Sequence, residues 1–131
     1  MAEIVVASHG ERPIKPDDVV RLYRQTEWWP ERSAETVGAL LATSPSVGAW
    51  ARSALVGFAR GITDGRERAY LEDVVVHEEH RGRGIGTRIV ERLVADLDVE
   101  VTTLFCSVRL APFYERLGFE PTRQIALHRR R

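Results

Sequence analysis

Arg81-Gly82-Arg83-Gly84-Ile85-Gly86 decides how this chain folds. It follows the run Leu71-Glu72-Asp73-Val74-Val75-Val76 and precedes an amphipathic segment from Thr87 to Leu97. The order is strand, glycine-rich turn, helix. Glycine lets a backbone approach an anion with no Cβ in the way. The free N–H groups of the helix start then point at that anion, aided by the helix dipole. This unit predicts a bound phosphorylated cofactor.

Working outward, Glu3 to Ser8 reads as a first strand. Pro16-Asp17-Asp18 opens a helix that the spacing of Val19, Leu22 and Tyr23 carries to about Glu27. Trp28-Trp29-Pro30-Glu31-Arg32 breaks it, and Ser33 caps a second helix bearing Val37, Leu40 and Leu41. Val47–Trp50 and Leu55–Ile62 read as strands joined by a turn at 51–54. Asp64-Gly65 marks the next tight turn. A fourth strand runs from Arg68 to Val76. A helix follows with Ile85, Ile89, Leu93 and Leu97 on one face. Val101 to Ser107 reads as a fifth strand and Pro112 to Leu117 as a short helix closed by Gly118. Phe119 to His128 reads as a last strand. The order βααβββαβαβ predicts a single α/β (α+β) domain over residues 1–131, with one parallel strand pair inside a mixed sheet.

Composition narrows the class. The chain has 131 residues, 44% hydrophobic and 29% charged, which suits one soluble domain. Its formal net charge of zero argues against a general nucleic-acid binder. There is no signal peptide and no apolar run long enough for a bilayer, so no membrane partner is expected. Cys106 is the single cysteine, which fits a reducing cytoplasmic compartment. Its apolar neighbours read it as a small core residue. His9, His77, His80 and His128 match no zinc spacing, so no metal is expected.

Three phosphate-binding devices compete for the glycine turn. A Walker A loop needs Gly-Lys-Ser/Thr at its end, and here Gly86-Thr87 carries no lysine. A dinucleotide fingerprint needs a third glycine where Thr87 stands, so a nicotinamide-dependent oxidoreductase fits poorly. The third device fits in order and spacing. Arg81-x-x-Gly84-x-Gly86, after a strand and opening a helix, resembles the pyrophosphate loop of the GNAT (GCN5-related N-acetyltransferase) family. Pro112-Phe113-Tyr114-Glu115-Arg116-Leu117-Gly118-Phe119 resembles a second element of the same family. The resemblance covers essentially the whole chain and is tightest from Leu71 to Phe119.

That resemblance implies a mostly antiparallel mixed sheet, splayed between strands four and five and flanked by about four helices. It implies acetyl-CoA (coenzyme A) as donor. The backbone of Val74, Val75 and Val76 would pair with pantetheine. Arg81, Gly82, Arg83, Gly84, Ile85, Gly86 and Thr87 would hold the pyrophosphate. Arg83 and Arg88 are either phosphate neutralisers or solvated surface arginines. Tyr114 would face the CoA sulfur as general acid. An ammonium acceptor needs a base or a water relay, and Glu72 and Asp73 are the candidates. Strand alternation puts Glu72 on one face with Tyr70 and Val74, and Asp73 on the other, unless a bulge intervenes. The amide of Val74 is a candidate oxyanion donor.

The acceptor site implied by the family would draw on Trp28, Trp29, Arg32, Tyr70, Glu72 and Phe105. An aromatic wall there suits a small apolar or cationic primary amine. The same region also resembles glucosamine-6-phosphate N-acetyltransferases, but Phe105 and Leu110 stand where those enzymes carry polar residues. A protein or peptide acceptor, or a non-catalytic acyl-CoA-binding module, would use the same fold. The family often dimerises, and the apolar last strand could serve a homodimer.

Overall fold

The computed structural model describes residues 2–26, 29 and 31–131. Five strands form one sheet in the order β1-β2-β3-β4-β5. They are β1 Ile4–Ser8, β2 Ser46–Ala51, β3 Ala54–Thr63, β4 Arg68–Val76 and β5 Val101–Thr103. The first four pair antiparallel, and β4 pairs β5 in parallel. The helices are α1 Pro16–Tyr23, α2 Ala34–Thr43, α3 Ile85–Leu97 and α4 Ala111–Glu115.

The sheet divides the core in two. On one face Val19, Leu22 and Tyr23 of α1 and Val37 and Leu41 of α2 pack with Phe58 and Val75. On the other, Ile85, Ile89, Leu93 and Leu97 of α3 pack with Val56, Ala59, Ala69 and Leu71. Full burial of such a side chain contributes roughly 1.5–3 kcal/mol. The helix starts follow local chemistry. Pro16 stands in the first turn of α1, with Asp17 and Asp18 beside it. Ser33 Oγ accepts the Thr36 N–H at 3.1 Å and caps α2.

Strands four and five part early. They share only the stretch Arg68–Tyr70 against Val101–Thr103. From Leu71 to Val76 β4 has no strand partner on its β5-facing side among the described residues. This is the splay that the family resemblance implied.

Three expectations need correcting at this end of the chain. The fifth strand stops at Thr103 instead of Ser107, because its partner β4 has already diverged. Phe119 to His128 forms no strand. Pro121 lacks an N–H, the three residues of β5 are a short template, and Ile125 and Leu127 are 80% and 86% exposed. Cys106 is exposed rather than core, since it lies in the loop after β5 where pairing has ended. Two helix ends also move: α1 ends at Tyr23, short of Glu27, and α4 spans Ala111–Glu115. No helix among the described residues is long and apolar enough to cross a membrane.

Candidate active site

The candidate donor half is built from backbone. Gly82 and Gly84 both take φ of 77°, a left-handed conformation that suits glycine, and a Cβ on either would enter open space. Gly84 is the N-cap of α3, and no side chain caps the helix there. The amides from Gly82 to Thr87 donate to no acceptor among the described residues; the first to do so is Arg88 N–H, to the Gly84 carbonyl at 3.2 Å. A run of unpaired N–H groups at a helix start fits an anion such as a pyrophosphate. The unpaired edge of β4 from Leu71 to Val75 offers further main-chain donors and acceptors to an amide-rich chain. The residues present therefore fit coenzyme A.

Gly86 has a separate duty. A Cβ there would stand 3.3 Å from Phe113 Cζ, so the turn and α4 are docked on each other at this glycine. Tyr114 is the next residue of α4. Tyr114 meets Phe113 edge-on at 4.9 Å and Phe119 at 5.9 Å. Burial, and then the charge of nearby Cys106, pushes the Tyr114 phenol up to about 12. The arginines of the turn divide. Arg81 Nε donates to the Val76 carbonyl at 3.1 Å and closes the end of β4. Arg88 donates to the Ile4 carbonyl at 3.1 Å. Arg83 is exposed.

The candidate acceptor half is built from side chains around a bulge. Register shifts by one between Phe58 and Arg60, so that Asp73 and Val74 together oppose Ala59. Asp73 sits at φ 56°, which costs a non-glycine residue on the order of 1–2 kcal/mol. The bulge overturns the expected alternation. Ala69 and Leu71 before it, and Val74 and Val76 after it, all pack on the α3 side. Val75 packs with α1 and α2. Val74 therefore does not share a face with Glu72, and the neighbouring carboxylates Glu72 and Asp73 lie on the same side.

Their surroundings differ sharply. The Asp73 side chain is 0% exposed. Its Oδ2 accepts from Tyr23 OH at 2.9 Å, Arg32 Nη1 at 2.8 Å and Arg60 Nε at 2.5 Å. Its Oδ1 is buried with no partner, and such an orphan costs about 1–3 kcal/mol. Glu72 is half-buried and in no ion pair among the described residues. Burial first, and then the adjacent Asp73 charge, raises its carboxyl above the ordinary range, against smaller opposing effects of Arg60 and Arg32. Beside it lies Tyr70, whose phenol is raised by burial and then by the Glu72 charge.

The aromatic residues fall on both sides of this pair. The Tyr70 and Phe105 rings stand 5.2 Å apart, and Phe105 is 58% exposed. The Arg32 guanidinium lies over the Trp29 ring at 4.2 Å, and Trp29 is 43% exposed. The sequence-derived candidate Trp28 lies outside the described residues. Sequence reasoning missed Tyr23 and Arg60. Arg60 did leave a signal, as the single charge inside the otherwise apolar run Leu55–Ile62.

Residues 43–121 match the family model described as an acetyltransferase (GNAT) domain. An uncharacterised N-acetyltransferase of Pyropia yezoensis is 38% identical over 72 residues, covering 53% of this chain and 41% of that protein. Serotonin N-acetyltransferase 2, chloroplastic, of Oryza sativa subsp. japonica is 43% identical over 67 residues, covering 49% of this chain and 34% of that protein. The chain thus spans less than half the length of these relatives. A GNAT-family crystal structure from Xanthomonas campestris pv. campestris superposes with a TM-score of 0.81 at 29% identity, covering 94% of this chain and 88% of that one. The chain belongs to the GNAT acetyltransferase family.

Proposed function

We propose that this chain transfers an acetyl group from acetyl-CoA to a small primary amine, by direct attack in a ternary complex. The observation that carries the proposal is the unpaired run of amides from Gly82 to Thr87, opening α3 beside the unpaired edge of β4. Acetyl-CoA, when bound, supplies an activated acetyl thioester. The turn binds its pyrophosphate, and the edge of β4 aligns the arm.

The chain's own groups then divide the work. Glu72 is the base: its raised carboxyl is a better proton acceptor than an ordinary one and it faces the acceptor side. It takes the proton from the ammonium, directly or through one water, and frees the lone pair for attack. The Val74 amide donates to the carbonyl oxygen as charge develops there. As the C–N bond forms and the C–S bond breaks, the second proton of the nitrogen passes to the departing sulfur, which Tyr114 would face. Its phenol, at about 12, stays protonated throughout the physiological range. A thiol near 8.5 is the stronger acid, so Tyr114 holds the sulfur's charge by a hydrogen bond before any proton moves. The exposed Phe105 ring against Tyr70 suits an amine with an apolar body.

The test is a panel of amines incubated with acetyl-CoA, with released CoA followed by a thiol reagent. Turnover is expected with small primary amines. Tight CoA binding with no release across apolar amines, sugar amines and peptides would instead leave a non-catalytic acyl-CoA-binding domain.

A further inference from the structure

Asp73 carries two local penalties on one residue. It holds a positive φ inside a strand, and one of its oxygens is buried without a partner. The other oxygen is shared by Tyr23, Arg32 and Arg60. Unfavourable geometry of this kind persists only where its surroundings impose it, and it gathers at functional sites. A buried ion pair is weak evidence for stability alone. The purpose of the cluster is better read from what it fastens.

It fastens the segment between α1 and α2. Arg32 belongs to that segment and reaches across to Asp73. Its guanidinium lies between two rings, 4.2 Å from Trp29 and 5.1 Å from Tyr23. The same segment is tied a second time, where Gln25 Oε1 accepts the Glu78 N–H at 3.0 Å. One tie meets the bulge of β4, and the other meets the chain just past the end of β4. Gln25 and Arg32 are thus tied to the two ends of the half of β4 that has no strand partner on its outer side. From the neighbouring strand, Arg60 fixes the same Asp73 oxygen and stands opposite Glu72 in register.

We infer that Asp73, acting through Arg32, latches the α1–α2 segment and the Trp29 ring onto the bulge of β4 and so shapes the acceptor side of the site. Asp73 is then a positioning residue, and Arg32 is a fastener rather than a substrate ligand. The inference rests on the reading that the amine enters over Glu72.

The test pairs Asp73→Asn with Arg32→Ala. Asparagine tolerates a positive φ and keeps the shape while removing the charge. Asp73→Asn is expected to raise the amine KM about 10-fold or more, as for a lost charged hydrogen bond. The kcat and the acetyl-CoA KM should stay close to wild type, and the pH–rate profile should keep both limbs, with the limb of Glu72 moved to lower pH because the Asp73 charge that raises it is gone. Arg32→Ala should give the same amine defect, relieved by added guanidinium ion. The double variant should be no worse than the worse single one. In both single variants hydrogen exchange should quicken in the α1–α2 segment and stay unchanged from Gly82 to Thr87. A large fall in kcat with loss of one limb of the pH profile in Asp73→Asn would make Asp73 the base and overturn the latch. Additive defects, or faster exchange with an unchanged amine KM, would overturn it too. If Asp73→Asn does not fold, Arg32→Ala with guanidinium rescue carries the test. A wild-type protein that acetylates no amine sinks the acetyl-transfer reading instead; exchange then judges the latch alone, and unchanged exchange in the variants overturns it.

Discussion

The two proposed halves of this site are built by different means. The donor half is made of main chain: unpaired amides from Gly82 to Thr87 and the unpaired edge of a strand. The acceptor half is made of side chains: Glu72, the Asp73 cluster and the rings of Trp29, Tyr70 and Phe105. A main-chain site asks only for glycines at given spacings, so many sequences with one short motif can make it. A side-chain site depends on which residues happen to meet in space. The donor half can thus be shared across a family while the acceptor half is particular to each member.

The division predicts effects of different size and kind. The largest belongs to Glu72→Gln. Removing the proposed general base should cost about 10²- to 10⁴-fold in rate. The loss should appear in CoA release with amine, while acetyl-CoA affinity measured by calorimetry stays unchanged. A fall in acetyl-CoA affinity would show that the halves are not separate. Gly84→Val should act oppositely. A β-branched residue at φ 77° is strained, and its side chain would fill the space in front of the amides. We expect the acetyl-CoA KM to rise about 100-fold, from strain and lost contact together, with the amine KM little changed. Tyr114→Phe comes next. Losing one hydrogen bond to a developing charge costs about 1.5–3 kcal/mol, so kcat should drop roughly 10-fold or more. Unchanged turnover across pH would remove Tyr114 from the mechanism.

The smallest effect is on stability, and its sign is informative. The folded protein holds the Glu72 proton to higher pH than the unfolded chain does. Stability therefore falls as pH rises from the ordinary carboxylate range through the raised value. Glu72→Gln should raise Tm at pH 7 by a few degrees at most, since the side chain is partly solvated. The gain should vanish near pH 4. A lower Tm at pH 7 would mean that Glu72 is ionised and favourably paired in the fold.

The same contrast explains what the sequence alone could tell. Gly84, Gly86, Phe113 and Tyr114 mark the donor half by local spacing. The structure adds how the two motifs meet, since Phe113 packs on Gly86. The acceptor half was less legible. Asp73 is bonded to residues 50 and 41 positions upstream, Tyr23 and Arg32, and no local pattern announces such contacts. Simple alternation misplaced Val74 because it cannot locate a bulge. The last strand failed for a similar reason. Gln124 to Leu127 has a strand-like pattern, but a strand also needs a partner edge, and the short β5 does not provide one here.

The most direct test of the division is an amide chemical-shift titration of isotopically labelled protein with CoA. The largest shifts are expected from Gly82 to Thr87 and along Leu71 to Val76, with the α1–α2 segment little moved. Shifts centred on Arg32, Asp73 and Phe105, with the glycine turn unchanged, would contradict it.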